Sequence, residues 1–121
     1  MKTHEETYGF LIEQLNRFEN CFNNIKNVST KIPTTLSVEA QRTFCQQLSS
    51  CSDNSDAAIL IQLDRAGAAS FLRLSKYALD FYSKNRNLAT VSLPDNGRPF
   101  SLLACLASRC LEEMARGAIR P

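Results

Sequence analysis

The residues with the longest chemical reach in this chain are its cations. Arg65, Arg73, Lys76 and Lys84 fall on one side of a helical projection, and Arg86 and Arg98 follow them. From residue 65 to 111, seven cations stand against only Asp80 and Asp95. A line of that kind can track phosphates. It also suits the wet edge of a helix that is buried on its other sides. The second reading carries more weight here, because Tyr77 and Phe81 project toward the apolar side and leave few aromatics among the charges for stacking on bases.

Other reactive groups are sparse. His4 is the single histidine. That excludes the usual Cys/His zinc arrangements and weakens any Cys–His nucleophile pair. Cys21, Cys45, Cys51, Cys105 and Cys110 make an odd count with no C-x-x-C, which argues for free thiols rather than a disulfide framework. On a helix, Cys105 and Cys110 point roughly 140° apart, too divergent to share a ligand. Cys110 reads as core. Cys105 projects to the polar side beside Leu102, so an exposed Leu102–Cys105 pair is a candidate binding patch. Asp64 projects into an apolar arc, where a carboxylate needs a partner. Glu112-Glu113 reads as a solvated face. There is no glycine-rich phosphate loop. The expectation is a protein without catalytic residues, metal or cofactor, and hence not an enzyme.

These side chains must be positioned by helices. The chain has 121 residues, 44% hydrophobic and 21% charged, with four Gly and four Pro set apart from one another. That describes one globular domain spanning residues 1–121, with too little turn punctuation for a β-sandwich. A net charge of +2 does not by itself imply a nucleic-acid or membrane partner. No run approaches the roughly 18 apolar residues of a membrane span, and "MKTHEETYGF" has no apolar signal core. Free thiols then suit a reducing, cytoplasmic setting.

Four helices are expected in order. Thr3 and Glu6 have the spacing of a capping box, and apolar residues follow at 8, 11, 15, 18, 22 and 25, with Asn16, Asn20, Asn23 and Asn24 turned away. Pro33 interrupts, and Ser37 can cap a second helix to about residue 51 with Ala40, Phe44, Leu48 and Cys51 on one side. A third helix, capped by Asp53 or Ser55, reads as one long central element from 56 to 84. Leu60, Leu63, Gly67, Phe71, Leu74, Ala78 and Phe81 share one side, and Gly67 lies inward as a site of close approach. A break at Gly67, making five helices, is the competing reading. Thr90, Val91 and Leu93 suit a short extended segment near 88–98, before the turn at Pro94-Asp95-Asn96-Gly97. Pro99 can open the last helix and Gly117 close it, with Phe100, Leu103, Leu106, Ala107, Cys110, Leu111 and Met114 inward, Ser101 outward, and a frayed tail beyond.

An all-α bundle with apolar faces on every helix and little chemistry suits a small regulator, adaptor or chaperone. It would bind a protein partner through a helix face, with pairing into a homodimer as one form of such contact. The alternative is a nucleic-acid-binding regulator that uses the basic stripe.

Overall fold

Local capping starts the first two helices where the sequence signals stand. Glu6 N–H donates to Thr3 Oγ1 at 3.1 Å, and Thr3 N–H donates back to Glu6 Oε1 at 3.4 Å, which closes the capping box. Helix α1 follows as His4–Asn24. Ser37 Oγ accepts the Ala40 N–H at 3.1 Å and opens α2, Val38–Ser49. The computed structural model describes residues 2–24, 36–51, 54–63, 65–93 and 98–119. Ile25, the proposed cap at Asp53 and the side chain of Ser55 lie outside what it describes, as does the turn from Pro94 to Gly97.

In α1 the buried line is Thr7, Leu11, Leu15 and Phe18, with the four asparagines exposed. Tyr8, expected inward, is 39% exposed. Thr7 takes its place because its hydroxyl can donate to the Thr3 carbonyl at 3.0 Å and needs no water.

The expected long helix is two described helices, α3 (Asn54–Leu63) and α4 (Arg65–Asn85), with Asp64 between them outside the described residues. Their buried positions nevertheless keep one register. Ala57, Ile61, Ala68, Phe71, Ser75, Ala78 and Tyr82 follow steps of three, four or seven. Gly67 is buried inside the first turn of α4 and does not end a helix. The centre of the buried face differs from the projection by about one residue: Tyr82 is sealed at 1% exposure, while Phe81 is half-buried.

Residues 88–90 form a single 3-10 turn, not a strand, and no strand occurs among the described residues. Asn87 Oδ1 accepts the Ala89 N–H at 3.0 Å, and Leu88 drops into the core. His4 Nδ1 accepts the Leu88 N–H at 2.9 Å, so the lone histidine ties the start of α1 to this turn.

Helix α5 is Ser101–Ala115. It begins after Pro99 rather than on it, because Phe100 at the cap position is wholly buried. Beyond its other end, Gly117 adopts φ 76°, with Gly117 N–H donating to the Met114 carbonyl and Ala118 N–H to Glu113. This is a Schellman closure. The tail does not fray at once: Ile119 is 3% exposed.

Helix α5 packs on α2, α4 and α1, and α4 packs on α5, α1 and α2, so the bundle has two central helices. Four phenylalanines from four segments fasten them. The Phe18 ring lies 4.8 Å from Phe71, 5.6 Å from Phe100 and 6.4 Å from Phe44, and Phe44 lies 5.6 Å from Phe71. Burying each ring contributes about 1.5–3 kcal/mol, and edge-on ring pairs add about 0.5–1.5 kcal/mol.

Candidate functional site

The cations picked out by the sequence do not form one continuous strip. Arg65 opens α4 half-buried, its guanidinium carbon 5.7 Å from the Phe22 ring, with Nε and Nη1 buried and without a hydrogen-bond partner. Lys76 reaches Glu19 of α1 at 2.7 Å. Lys84 reaches Asp80, one turn back, at 2.9 Å. Arg86 lies 5.9 Å over the Phe81 ring and donates to the Asn85 carbonyl at 3.3 Å. A phosphate approaching this side would compete with two carboxylates for Lys76 and Lys84. The remaining two cations border different hollows: Arg73 a groove at one end of α5, Arg98 a cavity at the other.

The Leu102–Cys105 pair is not an exposed patch. Leu102 is 8% exposed and Cys105 half-buried. Neighbours on three sides of α5 widen its buried arc to take in Leu102, and also Ser101, which was expected to face outward. Cys105 and Cys45 line a common cavity of about 420 Å³ between α2 and α5. All five cysteines are free thiols. Burial pushes the Cys45 thiol up to about 12 and that of Cys110 to about 11. Burial also raises Cys105, and the nearby Arg109 charge offsets part of that rise. These three thiols stay protonated near neutral pH, and a protonated thiol is a poor nucleophile. Among the described residues, no three His, Cys, Asp or Glu side chains gather closely enough to hold a metal ion, and no helix is long and apolar enough to cross a membrane.

The groove beside Arg73 is mainly apolar in character. Leu36 and Val38 at the start of α2, Leu74 and Tyr77 of α4, and Leu111 and Met114 of α5 enclose about 530 Å³. Gln41, Ser70 and Arg73 supply polar groups along its edges. Three helices make it because α2 enters the bundle beside the carboxyl-terminal half of α5, where the α4 face carries Leu74 and Tyr77. Val38 remains 45% exposed at its lip, an unusual degree for a branched apolar side chain. Sequence reasoning found Arg73 but not this groove, since three separate helices contribute to it. The only local hint was an apolar residue, Val38, directly after a helix cap.

Comparison of the chain with protein-family models, with curated proteins and with solved structures gives no match. The class that the fold defines is an all-α bundle of five described helices.

Proposed function

We propose that this chain is a non-enzymatic interaction module that receives an amphipathic helix of a protein partner in the α2/α4/α5 groove. One observation carries the reading: an open apolar trough of about 530 Å³ with three helices as its walls and a half-exposed valine at its lip. A helix laid in such a trough buries side chains spaced three and four residues apart, and binding follows from the apolar area removed from water. Arg73 at the edge favours a partner helix with an acidic residue on its flank. The partner helix is supplied by another protein or by a second copy of this chain.

The test is affinity purification from the native host with three baits: the unaltered protein, Val38→Asp, and Ile59→Asp. Ile59 is 54% exposed and lies in a different hollow, beside Cys51 and Asp56. A carboxylate at Val38 removes the partner by at least tenfold, while the Ile59 variant retains it. Sedimentation of the purified protein reports whether the partner is a second copy. Retention of every partner by Val38→Asp, or selective loss with Ile59→Asp, defeats the proposal.

A further inference from the structure

Two thiols from neighbouring helices open onto one cavity. Helices α2 and α5 run antiparallel. Arg42, early in α2, reaches Glu112, late in α5, at 3.5 Å, and the Ser50 carbonyl beyond α2 accepts from Arg98, just before α5, at 2.8 Å. Cys45 and Cys105 fall between those two contacts on their respective helices, so they stand at about the same level of the seam. Both line the cavity of about 420 Å³ between the two helices. Cys45 is 2% exposed and Cys105 half-buried, so one thiol of the pair is sealed and the other is within reach of solvent.

The surroundings decide what such a pair can take. Two sulfur ligands fall short of the four that zinc gathers in a structural site, and among the described residues no third His, Cys, Asp or Glu joins them. Glu112, the carboxylate of the lining, is engaged by Arg42. Burial favours the neutral form of both thiols, most strongly for Cys45, which is pushed up to about 12. A metal ion that demands two thiolates would leave negative charge in a poorly solvated space. A neutral trivalent oxyacid makes no such demand. Arsenous acid is uncharged near neutral pH and condenses with thiols. Two As–O and two S–H bonds break, two As–S bonds form, and each departing hydroxyl leaves with a thiol proton as water. Nothing is oxidised or reduced, and the product is neutral. The arsenic keeps one hydroxyl, and Ser92 and Ser108 bring hydroxyl groups to the same lining.

We propose that Cys45 and Cys105 form a dithiol site that captures a trivalent arsenic oxyacid and ties α2 to α5 through the bound arsenic. The second As–S bond forms within the molecule, where the remaining thiol has a high effective concentration. None of the residues lining the α2/α4/α5 groove borders this cavity, so the site stands or falls independently of the partner reading.

The experiment is native mass spectrometry of the full, reduced chain titrated with arsenous acid near neutral pH. One adduct forms, with a mass gain of one arsenous acid less two waters. Cys105→Ala, a change at a half-buried position, weakens the adduct about tenfold or more, because only one bond can then form. Cys21→Ala, on α1, leaves the affinity within about twofold of the parent. Arsenous acid raises the melting temperature of the parent and of Cys21→Ala but not that of Cys105→Ala, a readout that needs no substitution of the sealed Cys45. An indicator dye in weak buffer shows no proton release on binding. A gain less one water or less three waters, an adduct retained by Cys105→Ala or lost with Cys21→Ala, protons released on binding, or no adduct overturns the proposal.

Discussion

The two ends of α5 are finished by different means. At the carboxyl end the helix closes itself: Gly117 turns left-handed, the Gly117 and Ala118 N–H groups return to carbonyls three and five residues earlier, and Ile119 folds back into the core. At the amino end it borrows. Phe100 caps nothing, Gln14 crosses from α1 to take the Leu103 N–H, and the Phe100 ring locks against Phe18. One end is therefore a property of the local chain, and the other exists only when the bundle has assembled. Each end also borders a hollow, the apolar groove at the first and the cavity beside Gln14 and Arg98 at the second. A site beside borrowed structure should respond to distant substitutions, whereas one beside a self-closed end should not.

The harshest way to break this comparison is to remove an anchor at each end. Phe100→Ala leaves a cavity among three helices and costs about 3–5 kcal/mol, read from the denaturant midpoint. Ile119→Ala, at a chain end whose neighbours can settle, costs about 2 kcal/mol. Equal losses would show that both ends depend on the assembled core.

Alkaline titration is the next strongest probe, and it compares the two halves of α5. The buried thiols of Cys45, beside the amino-terminal half, and Cys110, in the carboxyl-terminal half, are raised above their ordinary value of 9.0, to about 12 and about 11. Below pH 9 both stay protonated, folded or unfolded, and stability is unaffected. Above it, the unfolded chain releases protons that the folded chain retains, so stability falls as pH rises from 9 toward 11 or 12. By about pH 10.5 the loss is roughly 2 kcal/mol for each thiol. Melting curves from pH 8 to 10.5 should decline less steeply in Cys45→Ala and in Cys110→Ala than in the parent. Above pH 11 the relief should be greater for Cys45→Ala. Parallel slopes in all three proteins would contradict the burial of these thiols.

The same division between local and borrowed structure explains what could be read from the sequence. The caps at Thr3–Glu6, Ser37 and Gly117 were legible because donor and acceptor lie within a few residues of each other. Gly67 was placed correctly inside a helix because the apolar register continues past it. The part-buried hydrogen bond from the Leu88 N–H to His4 was not legible, since its two partners are 84 residues apart. Nor was the burial of Leu102, which depends on how many neighbours flank α5. A helical projection ranks the faces of one helix and carries no information about its neighbours. That is why Tyr8, expected inward, is exposed, and why Tyr82 is sealed while Phe81, expected inward, is only half-buried. The cations show the same limit. The projection placed Arg65 on the wet edge of its helix, but the fold half-buries it against Phe22, Glu19 reaches Lys76 from another helix, and Arg98 comes beside Lys2 and Arg17 only through the fold.

Gln14→Ala tests the borrowed end without disturbing its packing. The Leu103 N–H is part-buried and loses its acceptor, so the cost is about 1–2 kcal/mol, in the range of a deleted helix cap. Gln14→Glu keeps the acceptor oxygen, adds a negative charge at a helix amino terminus, and should restore most of that loss. A Glu variant no more stable than the Ala variant would show that the Leu103 N–H does not depend on this acceptor.

The smallest effect belongs to the end that closes itself. An added Cβ at Gly117 meets nothing within 4 Å, so Gly117→Ala introduces no clash. The whole penalty is the backbone cost of holding an L-residue at φ 76°, about 1 kcal/mol. Gly117→Asn should cost less, because its short polar side chain tolerates this conformation. Since the strain is local, amide exchange should quicken at Gly117, Ala118 and Ile119, while the Leu103 amide at the other end keeps its protection up to the small global loss. Equal quickening at Leu103 beyond that loss would mean that α5 opens as one unit and that its two ends are not independent.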